Sequence, residues 1–188
     1  AGRPGQVRLL AVSKKQPAER VRALAAAGQY AFGENYVQEG LDKIAQLTDL
    51  ALEWHHIGPI QSNKTADIAA HFDWVHGVDR EKIARRLSEQ RPPELPALNV
   101  CVQVNISDEA SKSGVAPAEA AALCHAVAGL PGLRLRGLMA IPAPVASGGD
   151  PRAPFAALRR LLESLRAEGL ALDTLSAGMS DDLEHAIA

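Results

Sequence analysis

The chain has 188 residues, 47% of them hydrophobic and 4% aromatic, and its 20 basic residues nearly balance its 22 acidic residues. Such a chain can bury one substantial core, so we expect a single domain spanning residues 1–188. It lacks the excess of basic residues and the aromatic residues that nucleic-acid-binding proteins use, so nucleic acid is not an expected partner.

The same composition bears on location and redox state. No apolar run approaches the roughly 20 residues that cross a bilayer, and no signal-peptide core precedes the first predicted strand, so we expect a cytoplasmic protein that does not bind membranes. Cys101 lies in an apolar strand-like run and Cys124 in a helical stretch. Both positions are typical of reduced core thiols and not of a disulfide or a metal site.

Short apolar runs alternate with amphipathic segments along the whole chain. Strands are predicted at Val7–Val12, Tyr30–Phe32, Glu53–Ile57, Phe72–Val75, Leu98–Val104, Leu133–Met139 and Leu172–Leu175. Helical spacing follows, from Ala18 to Ala27, from Val37 to Leu47, around Ile68, around Ile83 and Leu87, from Pro117 to Ala128 and from Phe155 to Ala167. Ser62 or Asn63 could cap the third helix. A segment rich in Pro and Gly, Pro142–Pro154, is predicted to be a loop.

This alternation predicts a parallel sheet with helical crossovers, whose closed form is the (β/α)8 barrel. The strand count is one short, and a typical barrel has about 250 residues. An open doubly wound sheet is therefore the alternative. We favour a barrel that lacks its first helix and its last strand in this sequence, because Asp182–Ala188 begins a helix that no strand follows.

Polar residues at the end of the first strand are the first indication of chemistry. The apolar run stops at Ser13, which two lysines and Pro17 follow. A lysine at the mouth of a core is partly desolvated, which frees its amine to react with an aldehyde, and Lys14 is our candidate. Solvated lysines at a strand end are the simpler explanation of this segment alone.

The ends of the later strands are polar as well. In a barrel they meet at one rim. The residues expected there are Gly33 to Asn35, His55 to Gly58, His76 and Gly77, Asn105 to Ser107, Met139, and Ser176 to Ser180. Ser176, Ser180 and the backbone of the turn at Gly178 suit a phosphate, although Asp181 and Glu184 also have the spacing of an ordinary capping box. His55 and His56 are neighbours on one strand and must face opposite sides, so they cannot share a metal, and no metal site is predicted.

Six segments along the chain resemble one family, the pyridoxal phosphate homeostasis proteins, also called proline synthetase co-transcribed homologues. They are Leu10–Lys14, Phe32–Glu39, Trp54–His55 with Ile57–Lys64, Val104–Ser107 with Ser111–Gly114, Arg136–Ile141 and Leu175–Asp182. The resemblance implies a fold-type III barrel like the N-terminal domain of alanine racemase, without that enzyme's second domain. It also implies a Schiff base between Lys14 and pyridoxal phosphate, Asn35 near the cofactor ring, and a phosphate held by Ser176 and the turn from Gly178 to Ser180.

Together, the rim and the resemblance give one predicted set of cofactor-binding residues. It consists of Lys14, Asn35, His56, Met139, Ser176, Gly178, Met179 and Ser180. The neighbouring amine of Lys15 could accept a transferred cofactor. Lys64 and Lys112 could hold the cofactor at a second site. The Arg-Ile-Gly-Thr-like motif, which supplies an arginine facing the pyridine nitrogen in the family, does not occur in this sequence.

The function we expect is a non-catalytic carrier of pyridoxal phosphate in intracellular homeostasis. A reversible bond to Lys14 would let the protein hold the cofactor and give it up, with apo forms of pyridoxal-phosphate-dependent enzymes as possible acceptors and a monomer as the expected state. The alternative is an amino-acid racemase of the alanine racemase type. That enzyme needs a second base, and the only tyrosines, Tyr30 and Tyr36, both lie near the start of the chain.

Overall fold

The computed structural model describes residues 7–107, 113–143 and 149–188. Its strands are β1 (Ala11–Val12), β2 (Ala31–Glu34), β3 (Glu53–His56), β4 (Trp74–Val78), β5 (Leu98–Gln103), β6 (Leu133–Met139) and β7 (Thr174–Ser176). Its helices are α1 (Ala18–Ala26), α2 (Val37–Gln46), α3 (Thr65–His71), α4 (Glu81–Gln90), α5 (Pro117–Ala128), α6 (Ala153–Ala167) and α7 (Leu183–Ile187). No helix in these ranges is both long and apolar enough to span a membrane.

The seven strands form one sheet in the order of the chain, and every neighbouring pair is parallel. A parallel pair requires a crossover connection, which the intervening helices supply. The alternation of short apolar runs with amphipathic segments therefore predicted the architecture correctly. Because all strands point the same way, their carboxyl ends lie along one edge, and the side chains that follow them share that edge.

The sheet is strongly curved. β4 and β7 are three positions apart, a separation of about 14 Å in a flat sheet at about 4.8 Å per strand. Yet His76 Nδ1 of β4 lies 2.6 Å from Ser176 Oγ of β7. The strands must therefore curl around a common interior, as in seven strands of the predicted (β/α)8 barrel.

Side chains alternate between the two faces of this curved sheet. On the outer face, Phe32, Val75 and Val100 belong to a large core with helix residues such as Ile68 and Leu87. A separate small cluster of Trp74, Cys101 and Met139 fills the interior. Both cysteines are buried and unpaired, as predicted, and burial raises the pKa of each thiol to about 12.

Some boundaries differ from the prediction for physical reasons. β4 begins at Trp74 and not at Phe72, because the Phe72 ring packs under α2, where a Cβ on Gly40 would lie 2.7 Å from it. Neither Ser62 nor Asn63 caps α3: they form a 3-10 turn with Lys64, and the N-cap position falls on Lys64. Residues 108–112, which include Lys112, and residues 144–148 of the predicted loop lie outside the described ranges.

Candidate functional site

The predicted site residues follow the carboxyl ends of the strands. Lys14 comes two residues after β1, Asn35 directly after β2, Met139 ends β6 and Ser176 ends β7. In register, β1 pairs with β2 and β6 with β7, so these residues stand at the two sides of the curved sheet. This edge is where parallel barrels carry their active sites.

A buried ion pair fixes the backbone just before Lys14. Lys43 of α2 donates hydrogen bonds to the Ser13 carbonyl oxygen at 2.6 Å and to Glu34 Oε1 at 2.7 Å, and the Ser13 hydroxyl also donates to Glu34 Oε1, at 2.5 Å. Both Lys43 and Glu34 are almost completely buried. The ends of β1 and β2 are therefore tied together directly below Lys14 and Asn35.

The other side of Lys14 is held by Glu39. Its Oε1 accepts one hydrogen bond from Lys43 at 2.7 Å and another from the backbone N–H of Lys15 at 2.5 Å. Lys15 has a φ of 59°, a left-handed conformation that is uncommon for a residue with a side chain. The contact with Glu39 stabilises this turn, which leaves Lys14 between two anchored neighbours.

The Lys14 amine itself is free. Its side chain is exposed, and within the described ranges it makes no hydrogen bond or ion pair. An amine on an anchored backbone with no competing carboxylate is available to a carbonyl carbon. The geometry thus combines a fixed position with an unengaged nucleophile.

Asn35 carries an unusual unpaired polar atom. Its Oδ1 is buried and has no hydrogen-bond partner, although buried polar atoms are nearly always paired. The backbone of Asn35 is packed so tightly against Gly58 that a Cβ on Gly58 would lie 2.1 Å from the Asn35 carbonyl oxygen. The backbone of Asn35 is therefore closely packed, and its side chain keeps one buried, unused hydrogen-bond acceptor.

A chain of hydrogen bonds crosses the barrel interior and ends at Ser176. Arg8 donates to Glu53 Oε1 at 2.8 Å, and the same oxygen lies 2.8 Å from His55 Nε2. His55 Nδ1 lies 2.8 Å from His76 Nε2, and His76 Nδ1 lies 2.6 Å from Ser176 Oγ. The His55 ring also stacks on Trp74. We call Glu53, His55, His76 and Ser176 the interior relay.

Electrostatics keep both histidines of this relay neutral. Burial lowers the pKa of His76 to about 3, with a further contribution from the neighbouring His55. Burial also lowers the pKa of His55, although Glu53 opposes that effect. Burial tends to raise the pKa of Glu53, but the hydrogen bonds from His55 and Arg8 outweigh it and hold this pKa below its usual value. Glu53 is therefore ionised at neutral pH.

The cofactor role predicted for His56 does not fit its position. His56 points to the helix side of β3, where it is fully buried and its ring lies edge-on to Phe72 at 5.5 Å. Neither ring nitrogen has a hydrogen-bond partner. The two histidines do face opposite sides, as expected, but His55 is the one in the interior.

The remaining predicted residues occupy different environments. Met139 is buried in the interior cluster, whereas Met179 and Ser180 are exposed on the turn before α7. Gly178 adopts a φ of 95°. The N–H of Met179 already donates to Asp182 Oδ1 at 2.5 Å, so the turn offers a phosphate one backbone N–H fewer than predicted. The N-cap of α7 is Asp182, and not Asp181 as the capping-box spacing with Glu184 suggested.

Sequence reasoning missed two groups of residues. Glu53, His55 and His76 were not assigned roles, because their strands are covered on both faces and show no alternation that says which side chains point inward. The Glu34–Lys43 pair was missed because the two residues lie on different elements. An acidic residue at the end of an otherwise buried strand, as Glu34 is, was the available signal, since buried charges are paired.

Comparison with known proteins identifies the family. The model of the alanine racemase N-terminal domain matches residues 2–187. A curated protein of Pseudomonas aeruginosa, named pyridoxal phosphate homeostasis protein, is 65% identical over 188 residues, which cover 100% of this chain and 80% of that protein. The chain belongs to the pyridoxal phosphate homeostasis protein family. The resemblance found in the six sequence segments is thereby confirmed.

Solved structures agree with this assignment. PipY of Synechococcus elongatus, solved with pyridoxal phosphate (PLP) bound, is 38% identical and superposes with a TM-score of 0.88 over 98% of this chain and 87% of that chain. The same protein without PLP gives a TM-score of 0.90 at 39% identity. An alanine racemase of Corynebacterium glutamicum shares the fold, with a TM-score of 0.71 at 21% identity over 96% of this chain and 51% of that chain.

Proposed function

We propose that this protein binds pyridoxal 5'-phosphate through the Lys14 amine and serves as a non-catalytic carrier in intracellular PLP homeostasis. The observation that carries the proposal is the unengaged Lys14 amine between two anchored neighbours, at the strand edge where the unpaired Asn35 amide also lies. The relatives support it, because one is named for PLP homeostasis and another was solved with PLP bound.

The residues present fit the chemical groups of PLP. When bound, PLP supplies an aldehyde, and the Lys14 nitrogen would bond to the aldehyde carbon while the aldehyde oxygen leaves as water. The unpaired Asn35 Oδ1 suits a hydroxyl donor on the ring. Ser176, with the turn containing Gly178 and Ser180, would hold the phosphate at the other side of the rim.

A carrier needs a reversible bond and no second proton-transferring group aimed at the bound amine. Tyr30 precedes β2 and lies at the opposite end of the sheet from Lys14, beneath the Arg8 guanidinium at 5.0 Å. Tyr36 is at the Lys14 end, on the N-cap of α2, and is exposed. If the protein were a racemase, Tyr36 would therefore have to serve as its second base. Release to apo forms of PLP-dependent enzymes in the cytoplasm is the role we assign to the carrier.

The test begins with the absorbance spectrum of the protein mixed with PLP, before and after borohydride reduction. We expect an absorbance band that disappears on reduction, because hydride converts the C=N bond to a stable C–N single bond, and we expect mass spectrometry to find the reduced label on the peptide that contains Lys14. Lys14→Ala should lose both the band and the label. Lys15→Ala is the matched control, since it removes the adjacent lysine and should keep both.

Racemisation of alanine is measured on the same samples. The carrier proposal expects none above background, and Tyr36→Phe should change nothing. Rapid racemisation that disappears in Tyr36→Phe would establish the enzyme instead. A label that stays in place in Lys14→Ala would refute the assignment of Lys14, and a label on Lys64 or Lys112 would reveal a second site.

A further inference from the structure

The interior relay determines which atoms of Ser176 are free to meet a ligand. Glu53 is ionised and can only accept, so His55 must carry its hydrogen on Nε2. A neutral His55 then has an accepting Nδ1, which obliges His76 to donate from Nε2. The remaining nitrogen of His76 accepts, and the Ser176 hydroxyl must donate to it.

The three hydrogen bonds from Glu53 to Ser176 use three hydrogens, one each from His55, His76 and Ser176. None is left over. Ser176 therefore presents only lone pairs to the rim, and lone pairs repel a phosphate dianion. If Ser176 turned its hydrogen towards a phosphate, His76 Nδ1 would face the serine oxygen with no hydrogen between them, at the cost of an unpaired buried atom.

We propose that Glu53, His55 and His76 act as positioning residues that couple phosphate binding at Ser176 to the uptake of one proton. The inference rests on the proposed function, in which Ser176 holds the phosphate of PLP. The proton comes from solvent and settles on His76 Nδ1, which then donates to Ser176 Oγ, and the Ser176 hydrogen turns to a phosphate oxygen. No other bond is made or broken, and the imidazolium lies one hydroxyl away from the phosphate.

The groups around the relay allow this exchange. The other charged or titratable side chains near the two rings are Arg8, which bonds Glu53, His56 on the helix side of β3, and Arg136 and Cys101, which contact Trp74. Within the described ranges, Glu53 is the one carboxylate bonded to either ring. Burial keeps His76 neutral in the free protein, and the two charges of a phosphate against Ser176 favour its protonated form.

The relay also predicts that a substitution at Glu53, far from the phosphate site, changes phosphate binding at Ser176. A purely structural role of Glu53 would not predict this effect. Arg8 and His55 share one oxygen of Glu53, so Glu53→Gln is combined with Arg8→Ala, which removes the donor that an amide nitrogen would otherwise face. In this double variant the new amide can donate to His55 Nε2, which moves the hydrogen of His55 to Nδ1 and that of His76 to its own Nδ1. His76 then donates to Ser176 without an added proton, and the Ser176 hydrogen is free. Glu53 lies at the amino end of β3, away from the rim, so this change reaches the phosphate site only through the relay.

The experiment titrates the protein with pyridoxine 5'-phosphate, which has the phosphate of PLP but no aldehyde to react with Lys14. Calorimetry in two buffers of different ionisation enthalpy at pH 7.5 measures proton uptake, above the phosphate's own pKa of about 6. We expect net proton uptake on binding and an affinity that falls as the pH rises. Arg8→Ala/Glu53→Gln should show no uptake and a flat profile, whereas Asp173→Asn, which changes a carboxylate outside the relay, should behave as the unmodified protein.

A second readout needs no ligand. Nitrogen NMR of the free protein should find both His55 and His76 protonated on Nε2, and both should change to Nδ1 in Arg8→Ala/Glu53→Gln. Binding without proton uptake, or uptake that persists in both Arg8→Ala/Glu53→Gln and His76→Gln, would overturn the relay while leaving the proposed function intact. Absence of binding by both pyridoxine phosphate and PLP would overturn the proposed function and this inference with it.

Discussion

Replacing His56 by phenylalanine should make the protein more stable, and more so in acid. His56 is fully buried against Phe72, and both its ring nitrogens lack partners. An unpaired buried donor or acceptor costs about 1–3 kcal/mol, and a phenyl ring of similar shape removes that cost. We expect His56→Phe to raise the free energy of unfolding by about 1–2 kcal/mol at pH 8.

The gain must grow as the pH falls. Burial lowers the pKa of His56 to about 4, whereas an unfolded histidine titrates near about 6.5. Between these values the unfolded chain binds more protons than the folded protein, so stability is lost as the pH falls through this window. At pH 5, about 1.5 units below the unfolded pKa, the loss is about 2 kcal/mol, at about 1.4 kcal/mol per unit.

The assay is urea unfolding of both proteins at pH 8, 7, 6 and 5. Burial lowers the pKa of His76 as well, so both proteins lose stability in acid, and the difference between them isolates His56. His71→Phe is the matched control, because His71 is exposed on α3. If the stability difference between His56→Phe and the unmodified protein is the same at pH 8 and pH 5, the linkage argument is wrong. If His56→Phe is less stable at pH 8, the unpaired nitrogens are not costly.

Two further changes test the support of the rim. Lys43→Met leaves Glu34 buried without its partner, and we expect it to lower the free energy of unfolding by about 3–5 kcal/mol in urea titrations. The control Lys82→Met, at an exposed position, should change that free energy by less than about 0.5 kcal/mol. A smaller loss in Lys43→Met would mean that water reaches Glu34. Gly58→Ala puts a Cβ 2.1 Å from the Asn35 carbonyl oxygen and should cost about 1–3 kcal/mol and weaken PLP binding, unlike Gly129→Ala, whose Cβ meets nothing closer than 3.6 Å. Equal PLP affinities in the two glycine variants would show that Asn35 does not contribute to PLP binding.

The sequence was enough to predict the sheet and its polar edge. Alternation of strands and helices, together with the direction of parallel strands, placed Lys14, Asn35 and Ser176 at the carboxyl ends of strands, and the structure has Lys14 and Asn35 after their strands and Ser176 as the last residue of β7. β6 was predicted with both boundaries correct, since Leu133 to Met139 is a continuous strand pattern between two turns. These features depend on local periodicity, which the chain displays directly.

The contents of the interior could not be predicted in the same way. His55 and His56 are both buried, so burial does not distinguish them, and only the packing of Phe72 against one ring and Trp74 against the other decides which points inward. The bond between His76 and Ser176 joins residues 100 positions apart. It exists because the sheet curls, and curvature is a property of all the strands together.

Two buried networks support opposite sides of the rim, and they share no residue. On the helix side, Lys43 and Glu34 fix the turn of Lys14, and in the interior, Glu53 and the two histidines orient Ser176. Changes in one should therefore leave the other intact, so the free energies of Lys43→Met and Glu53→Gln should add. A carrier benefits from this separation. The bond to the amine can form and break while the phosphate stays held, and a change in proton concentration can loosen the phosphate without disturbing the amine.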